Sequence, residues 1–282
     1  MTRTRVLAAL AMAPVAIAAI LLLPTPWMVA LAAIVFLAGL WEWFKLADID
    51  DTLARTVLLV VNLALMVAIV WGSRTRDGLS YVLLEIMMVV GVAWWLLAAA
   101  WLRHFEFASN HETHGRVFKL AAGTLAIVPA WCALAVLHGG APDGDPDGHR
   151  WLFVALAVVW AADSGAYFVG RRYDRRKLAP RISPNKTVEG LLGGLASGLV
   201  VALAFAPFAG ATLRELPAVA LVAVVAVLFS VVGDLFESLL KRHVGAKDSG
   251  DLIPGHGGIL DRIDGVVAAL PVFALGKALM GF

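Results

Sequence analysis

Cysteine is almost missing from this chain: Cys132 is the only one, and it sits inside an apolar run. A lone thiol excludes an intramolecular disulfide and any zinc site built on cysteines, and its setting fits a small packing residue. Charge is scarce too. Only 16% of the residues are Asp, Glu, Lys or Arg while 61% are hydrophobic, and the mean hydropathy is +0.84. Soluble domains are about one quarter charged and roughly half apolar, so a soluble globular fold is excluded. Internal repeats, low-complexity tracts, Walker loops, serine nucleophile elbows and dinucleotide fingerprints are absent. His104, His111 and His114 share one loop, but no carboxylate pattern accompanies them, so a histidine metal site is not expected there. A net charge of +2 is too small to indicate a partner, and nucleic acid is not expected as one.

Long hydrophobic runs are what the chain has. A membrane-spanning helix needs about 20 mostly apolar residues. Segments 6–23, 27–44, 56–72, 79–102, 117–138, 151–169, 190–208, 217–240 and 265–281 meet that need. The expected fold is an all-α integral membrane protein of about nine transmembrane helices, with eight as the alternative. Thr2-Arg3-Thr4-Arg5 followed by the apolar stretch to Leu23 reads as a retained anchor rather than a cleaved signal peptide. Trp27, Trp41, Trp43, Trp71, Trp101 and Trp151 lie near span ends, where indoles favour the membrane interface.

With the N-terminus cytoplasmic, 18 of the 23 lysines and arginines fall in inside segments. Only Arg74, Arg76, Arg150, Arg214 and Lys277 are left outside, a strong positive-inside bias. Two polar loops then share the cytoplasmic face: 170–190 and the stretch from Ser238 to Asp264. Residues 1–115 form an N-terminal group of spans 1–4, and 116–282 a C-terminal region of spans 5–9 that carries both loops.

Acids inside apolar helices are costly and therefore informative. Asp163 lies in the sixth span and Asp234 in the eighth, each about two turns before its cytoplasmic end. Glu237 and Lys241 share the face of Asp234. Glu42 and Glu85 are also membrane acids, for which structural pairing is a sufficient account. Pro254-Gly255-His256-Gly257-Gly258 cannot be helical, and its backbone N–H groups can converge on an anion. Asp261 and Asp264 follow one turn apart, flanked by Lys241, Arg242, Lys247 and Arg262, a mixture that suits Mg²⁺ and phosphates. In the other loop, Ser183-Pro184-Asn185-Lys186-Thr187-Val188-Glu189-Gly190 is expected to cap the seventh span and bind anions at its N-terminus. Arg171, Arg172, Arg175 and Arg176 read as anchors to anionic lipid headgroups.

Together these motifs resemble those of the phosphatidate cytidylyltransferase (CDP-diacylglycerol synthase) family. Its pattern of Ser-x-x-Lys-Arg, four spacers, Lys-Asp, Pro-Gly-His-Gly-Gly and Asp-Arg-x-Asp is filled by Ser238, Lys241-Arg242, Lys247-Asp248, Pro254 to Gly258, and Asp261-Arg262-Ile263-Asp264. Gly233-Asp234-Leu235-x-Glu237-Ser238, the Asp163 helix and the Ser183–Gly190 loop match as well. Asn185 stands where a basic residue is common, and Gly265 where serine often follows the last aspartate. The spans before the Asp163 helix agree in hydropathy only.

The resemblance implies a nucleotidyltransferase of phospholipid biosynthesis, which moves the cytidylyl group of CTP to phosphatidic acid. It implies Mg²⁺, with a second cation as an option, held by Asp234 and Asp261, with Asp163, Asp248 and Asp264 as further candidates. The implied catalytic residues are Asp234, Lys241, Asp248, His256, Asp261 and Arg262. Those implied to contact CTP or phosphatidate are Asp163, Ser183, Asn185, Lys186, Thr187, Glu189, Glu237, Ser238, Arg242, Lys247, Gly257 and Gly258. The site would face the cytoplasm from a bacterial inner membrane, among lipids, and a homodimer is compatible with it. Two rivals remain at this stage: a CTP-dependent polyprenol or phytol kinase, and an ion-coupled transporter.

Overall fold

In hydrocarbon a chain must satisfy its own backbone N–H and C=O groups, and the long apolar runs do so as helices. The computed structural model describes residues 13–75, 78–109, 112–140, 147–173, 175–250 and 257–282. Among these, eight helices are long and apolar enough to cross a membrane. They are α2 (Thr25–Leu46), α3 (Thr52–Gly72), α4 (Val82–Trp101), α5 (Thr113–Gly139), α6 (Gly148–Tyr173), α7 (Val188–Phe205), α8 (Leu216–His243) and α9 (Leu260–Met280). A shorter apolar helix, α1 (Ala13–Leu22), precedes them, and the rest of the first expected span lies outside the described residues. The all-α expectation holds, with two small additions. Arg74–Thr75 (β1) pairs with Gly78–Leu79 (β2), and Lys177–Ala179 (β3) pairs with Ser183–Thr187 (β4), both antiparallel.

Local chemistry sets the helix ends. Pro24 precedes α2 and a second proline occupies its first turn, where a missing N–H costs nothing. Asp51 caps α3 by accepting from Leu53 N at 3.0 Å. Alternate loops meet at opposite ends of the bundle. At one end Arg181 pairs with Glu106 at 2.8 Å, His243 reaches the Phe105 carbonyl at 2.7 Å, and Lys119 pairs with Asp48 at 3.5 Å. At the other, Thr25 bonds His138 at 3.0 Å and Arg150 bonds the Phe208 carbonyl at 3.3 Å.

Helices α5 and α9 are the most enclosed, while α3 buries only Asn62, Met66 and Ile69 and turns an apolar face outward. Gly91 of α4 meets prolines of both central helices: a Cβ there would come within 2.7 Å of Pro129 and 3.1 Å of Pro271. Pro271 has no N–H for the carbonyl four residues back. That carbonyl, on Val267, instead accepts from Trp95 Nε1 at 3.2 Å. Trp43, Trp94, Trp95 and Trp101 surround Phe236 of α8, with ring centroids 5.2–6.1 Å away. Of the tryptophans near span ends, Trp27 and Trp71 are exposed, while Trp43, Trp101 and Trp151 are buried against neighbouring helices. A buried indole needs a partner for its N–H, and Trp43 finds one in the Lys119 carbonyl at 2.8 Å.

Candidate active site

The hairpin β3–β4 joins α6 to α7 and shapes one wall of a cavity. Ser183 precedes a proline, which favours extended backbone, so the segment expected as a helix cap runs as a strand to Thr187. The cap is Thr187 itself, whose hydroxyl accepts from Gly190 N at 3.0 Å. Glu189 turns back to the hairpin, accepting from Arg176 N at 3.2 Å, and so braces β3 rather than facing the cavity.

The cavity measures about 600 Å³ and lies between α6, β4, α7 and α8. Small residues (Ala162, Ala166, Gly170, Gly190, Gly194) make the room for it. Into it project Asp163, Asp234, Lys186, Ser183, Asn185 and Thr187, all expected site residues, brought together from three separate parts of the chain. Lys186 forms an ion pair with Asp234. Asp163 is exposed to the cavity and feels the charges of both. Arg171 and Lys177 line it as well. Arg171, expected to reach headgroups, donates to the Tyr167 hydroxyl at 3.0 Å on the cavity wall. Arg172, Arg175 and Arg176 are exposed, as a headgroup-facing role needs.

Deeper along α8, Asp234, Glu237 and Asp264 each offer a carboxylate oxygen within 4.8 Å of the others. Gly233 permits this approach, because a side chain there would strike the Asp264 backbone carbonyl. Glu237 is buried, and Lys241 pairs with it at 2.5 Å. Its Oε1 accepts no hydrogen bond among the described residues. Three carboxylates this close repel one another unless a cation or a proton sits among them. Hard oxygen donors in this number fit Mg²⁺, so the donor set passes the test of chemistry.

Asp261, expected beside Asp234 as a ligand, is engaged differently. Its Oδ1 takes Lys241 at 2.8 Å, and its Oδ2 accepts from Gly258 N at 2.8 Å and Ser249 N at 3.1 Å. Lys241 therefore bridges Glu237 and Asp261. The reason is position: from the first turn of α9 the Asp261 carboxylate reaches back to the N–H groups of Gly258 and Ser249, in the chain before the helix. The Gly258 N–H, expected to face an anion, is thereby already bonded to the protein. Gly257 adopts φ +82°, a conformation glycine accepts readily. Asp248 lies beside Gly257 and is exposed, as are Arg242, Lys247 and Arg262, while Ser238 is buried within α8. His256, with Pro254 and Gly255, lies outside the described residues.

Two polar residues near the site escaped the sequence reading. Glu42 of α2 is buried and accepts from Ser249 Oγ (2.9 Å), Ile259 N (3.1 Å) and Leu260 N (2.9 Å). Ser249 Oγ in turn accepts from Asp261 N at 3.3 Å. A carboxylate between two tryptophans in an apolar helix was the available sign for Glu42. Nothing comparable marks Ser249.

Comparison with known proteins finds similarity over nearly the whole chain. The Cytidylyltransferase family model matches residues 3–279. A protein of Haemophilus influenzae named phosphatidate cytidylyltransferase is 36% identical, over 97% of this chain and 98% of its own length. One of the same name from Pseudomonas aeruginosa is also 36% identical, over 97% and 96%. Another, from Bacillus subtilis, is 48% identical over 45% of this chain and 47% of its own.

Proposed function

The chain belongs to the cytidylyltransferase family, and from that premise we propose that it transfers the cytidylyl group of CTP to phosphatidic acid. A phosphate oxygen of the lipid attacks the α-phosphorus of CTP, pyrophosphate leaves, and CDP-diacylglycerol remains in the bilayer. The lipid phosphate is already an anion, so no protein nucleophile is required. What the protein must supply is the meeting of two anions and the spreading of charge as they react.

One observation carries this reading: a cavity at the end of the helices where the basic loops gather joins Lys186, Asp163 and Asp234 in one polar space. In the proposal Lys186, with Arg171 and Lys177, binds phosphate oxygens, and Ser183, Asn185 and Thr187 orient them. Asp234, Glu237 and Asp264 hold Mg²⁺, and Asp261 joins them through Lys241, which it keeps in place. When bound, Mg²⁺ neutralises phosphate charge and fixes the geometry of the triphosphate. Arg242 at the end of α8, Lys247 and Asp248 after it, and Arg262 in the first turn of α9 flank the nucleotide, with His256 as a further candidate. The positive-inside bias supports a cytoplasmic site in a bacterial inner membrane, where a soluble nucleotide and a membrane lipid can both reach it.

The test uses purified protein in detergent with dioleoyl phosphatidic acid, CTP and Mg²⁺. The expected outcome is pyrophosphate release with cytosine label entering the lipid. Label entering only from the γ-phosphate would mean a kinase, and no release with any divalent ion would sink the proposal.

A further inference from the structure

Helix α9 begins without a cap of its own. Ile259, at the N-cap position, makes no side-chain bond to the first turn, and the N–H groups there need acceptors. They find them on distant chain. Glu42 takes the Ile259 and Leu260 N–H groups, and Ser249 Oγ takes that of Asp261 while giving its own proton to Glu42. Asp261 completes the ring by accepting from Gly258 and Ser249. Side chains at Gly250 or Gly258 would collide with the Glu42 carboxylate, so both glycines are explained by the room it needs. Glu42 is 2% exposed, and the bonds it makes span 207 to 218 residues.

We infer that Glu42 is a positioning residue of the transferase: a carboxylate from the N-terminal helices caps α9 and so holds Asp261 against Lys241. It touches no substrate and acts through the turn it holds. The inference rests on the cytidylyl-transfer reading for its kinetic arm only. With Glu42 intact, the turn is fixed before nucleotide or metal arrives. Glutamine at this place keeps the size but puts an NH2 group where one of the N–H donors points, so one acceptor is lost and two donors face each other.

The experiment compares full-length wild type with Glu42→Gln, both purified in detergent. Amide hydrogen exchange over 257–264 reads the turn directly, and the variant is expected to exchange at least about tenfold faster there. In turnover, kcat is expected to fall roughly 10- to 100-fold, the loss typical of a small misplacement. The Mg²⁺ concentration for half-maximal rate rises, and KM for phosphatidic acid stays unchanged. A merely structural role would lower the yield of folded protein and leave exchange, kcat per folded molecule and Mg²⁺ requirement at wild-type values, and that result overturns the inference. If Glu42→Gln does not fold, Glu42→Asp is read the same way: faster exchange with an intermediate kcat supports the inference, and wild-type values overturn it. Altered exchange in a protein whose wild type shows no turnover would sink the transfer reading and leave the brace standing.

Discussion

The polar region has two sides, and they differ in how far their groups are already satisfied. On the cavity side Asp163 is exposed to the cavity, and Lys186 and Asp234, which pair with each other, both line it. On the α9 side Glu42, Ser249, Asp261 and Lys241 form a closed set in which nearly every donor meets an acceptor. A site that binds an incoming charged ligand needs capacity left over, while a site that holds something still needs none. The first side therefore suits binding and the second suits placement, with Lys241 as the joint between them.

Neutralising an acid on each side tests this division most severely. Asp234→Asn and Asp261→Asn are each expected to lower turnover on the order of 10³-fold or more, measured as pyrophosphate release from inserted, folded protein. Retained activity in Asp261→Asn would reduce the closed side to scaffold. Lys186→Met should cost about 10²-fold in kcat/KM, as loss of one charged phosphate donor does. Its helical content stays unchanged, because the pair it breaks faces the cavity. Lys241→Met strands the Glu237 and Asp261 carboxylates, and breaking a buried pair in this way costs about 3–5 kcal/mol. Thermal unfolding in detergent reads that loss, and the double variant with Glu237→Gln should recover part of it. Unchanged stability would mean that Lys241 is not the joint. The smallest effect belongs to Thr187→Ala, about 1 kcal/mol from the lost cap of α7, seen as a slightly lower Tm.

Much of this was legible in the sequence, for identifiable reasons. The spans showed because a 20-residue apolar run has few alternatives in hydrocarbon, and Asp163 and Asp234 stood out because an acid there demands an explanation. Lys186 and the Asp234 face followed from local spacing. What stayed hidden depends on distant partners. Glu42 was taken for ordinary pairing because its partners lie more than 200 residues away. The strand at Ser183–Thr187 was read as a loop because a proline among short polar residues looks the same in either form. Asp261 was expected as a metal ligand and Asp264, one turn on, only as a further candidate. Asp261 is taken up by Lys241 and by the Gly258 and Ser249 N–H groups before α9, while Asp264 sits with Asp234 and Glu237. Tryptophans at helix ends were placed at the lipid interface, a rule that does not say which way the ring faces.

The meeting of Trp95 with the carbonyl freed by Pro271 bears on the order in which the protein is made. A chain leaves the ribosome N-terminus first, and its early parts fold before its late ones. Helix α4 is thus in the bilayer before α9 has been synthesised. When α9 arrives, it carries a gap in its own ladder that cannot be closed by water in hydrocarbon, and the indole that closes it is already waiting. The proline thus gives α9 a matching place against α4, a helix made before it.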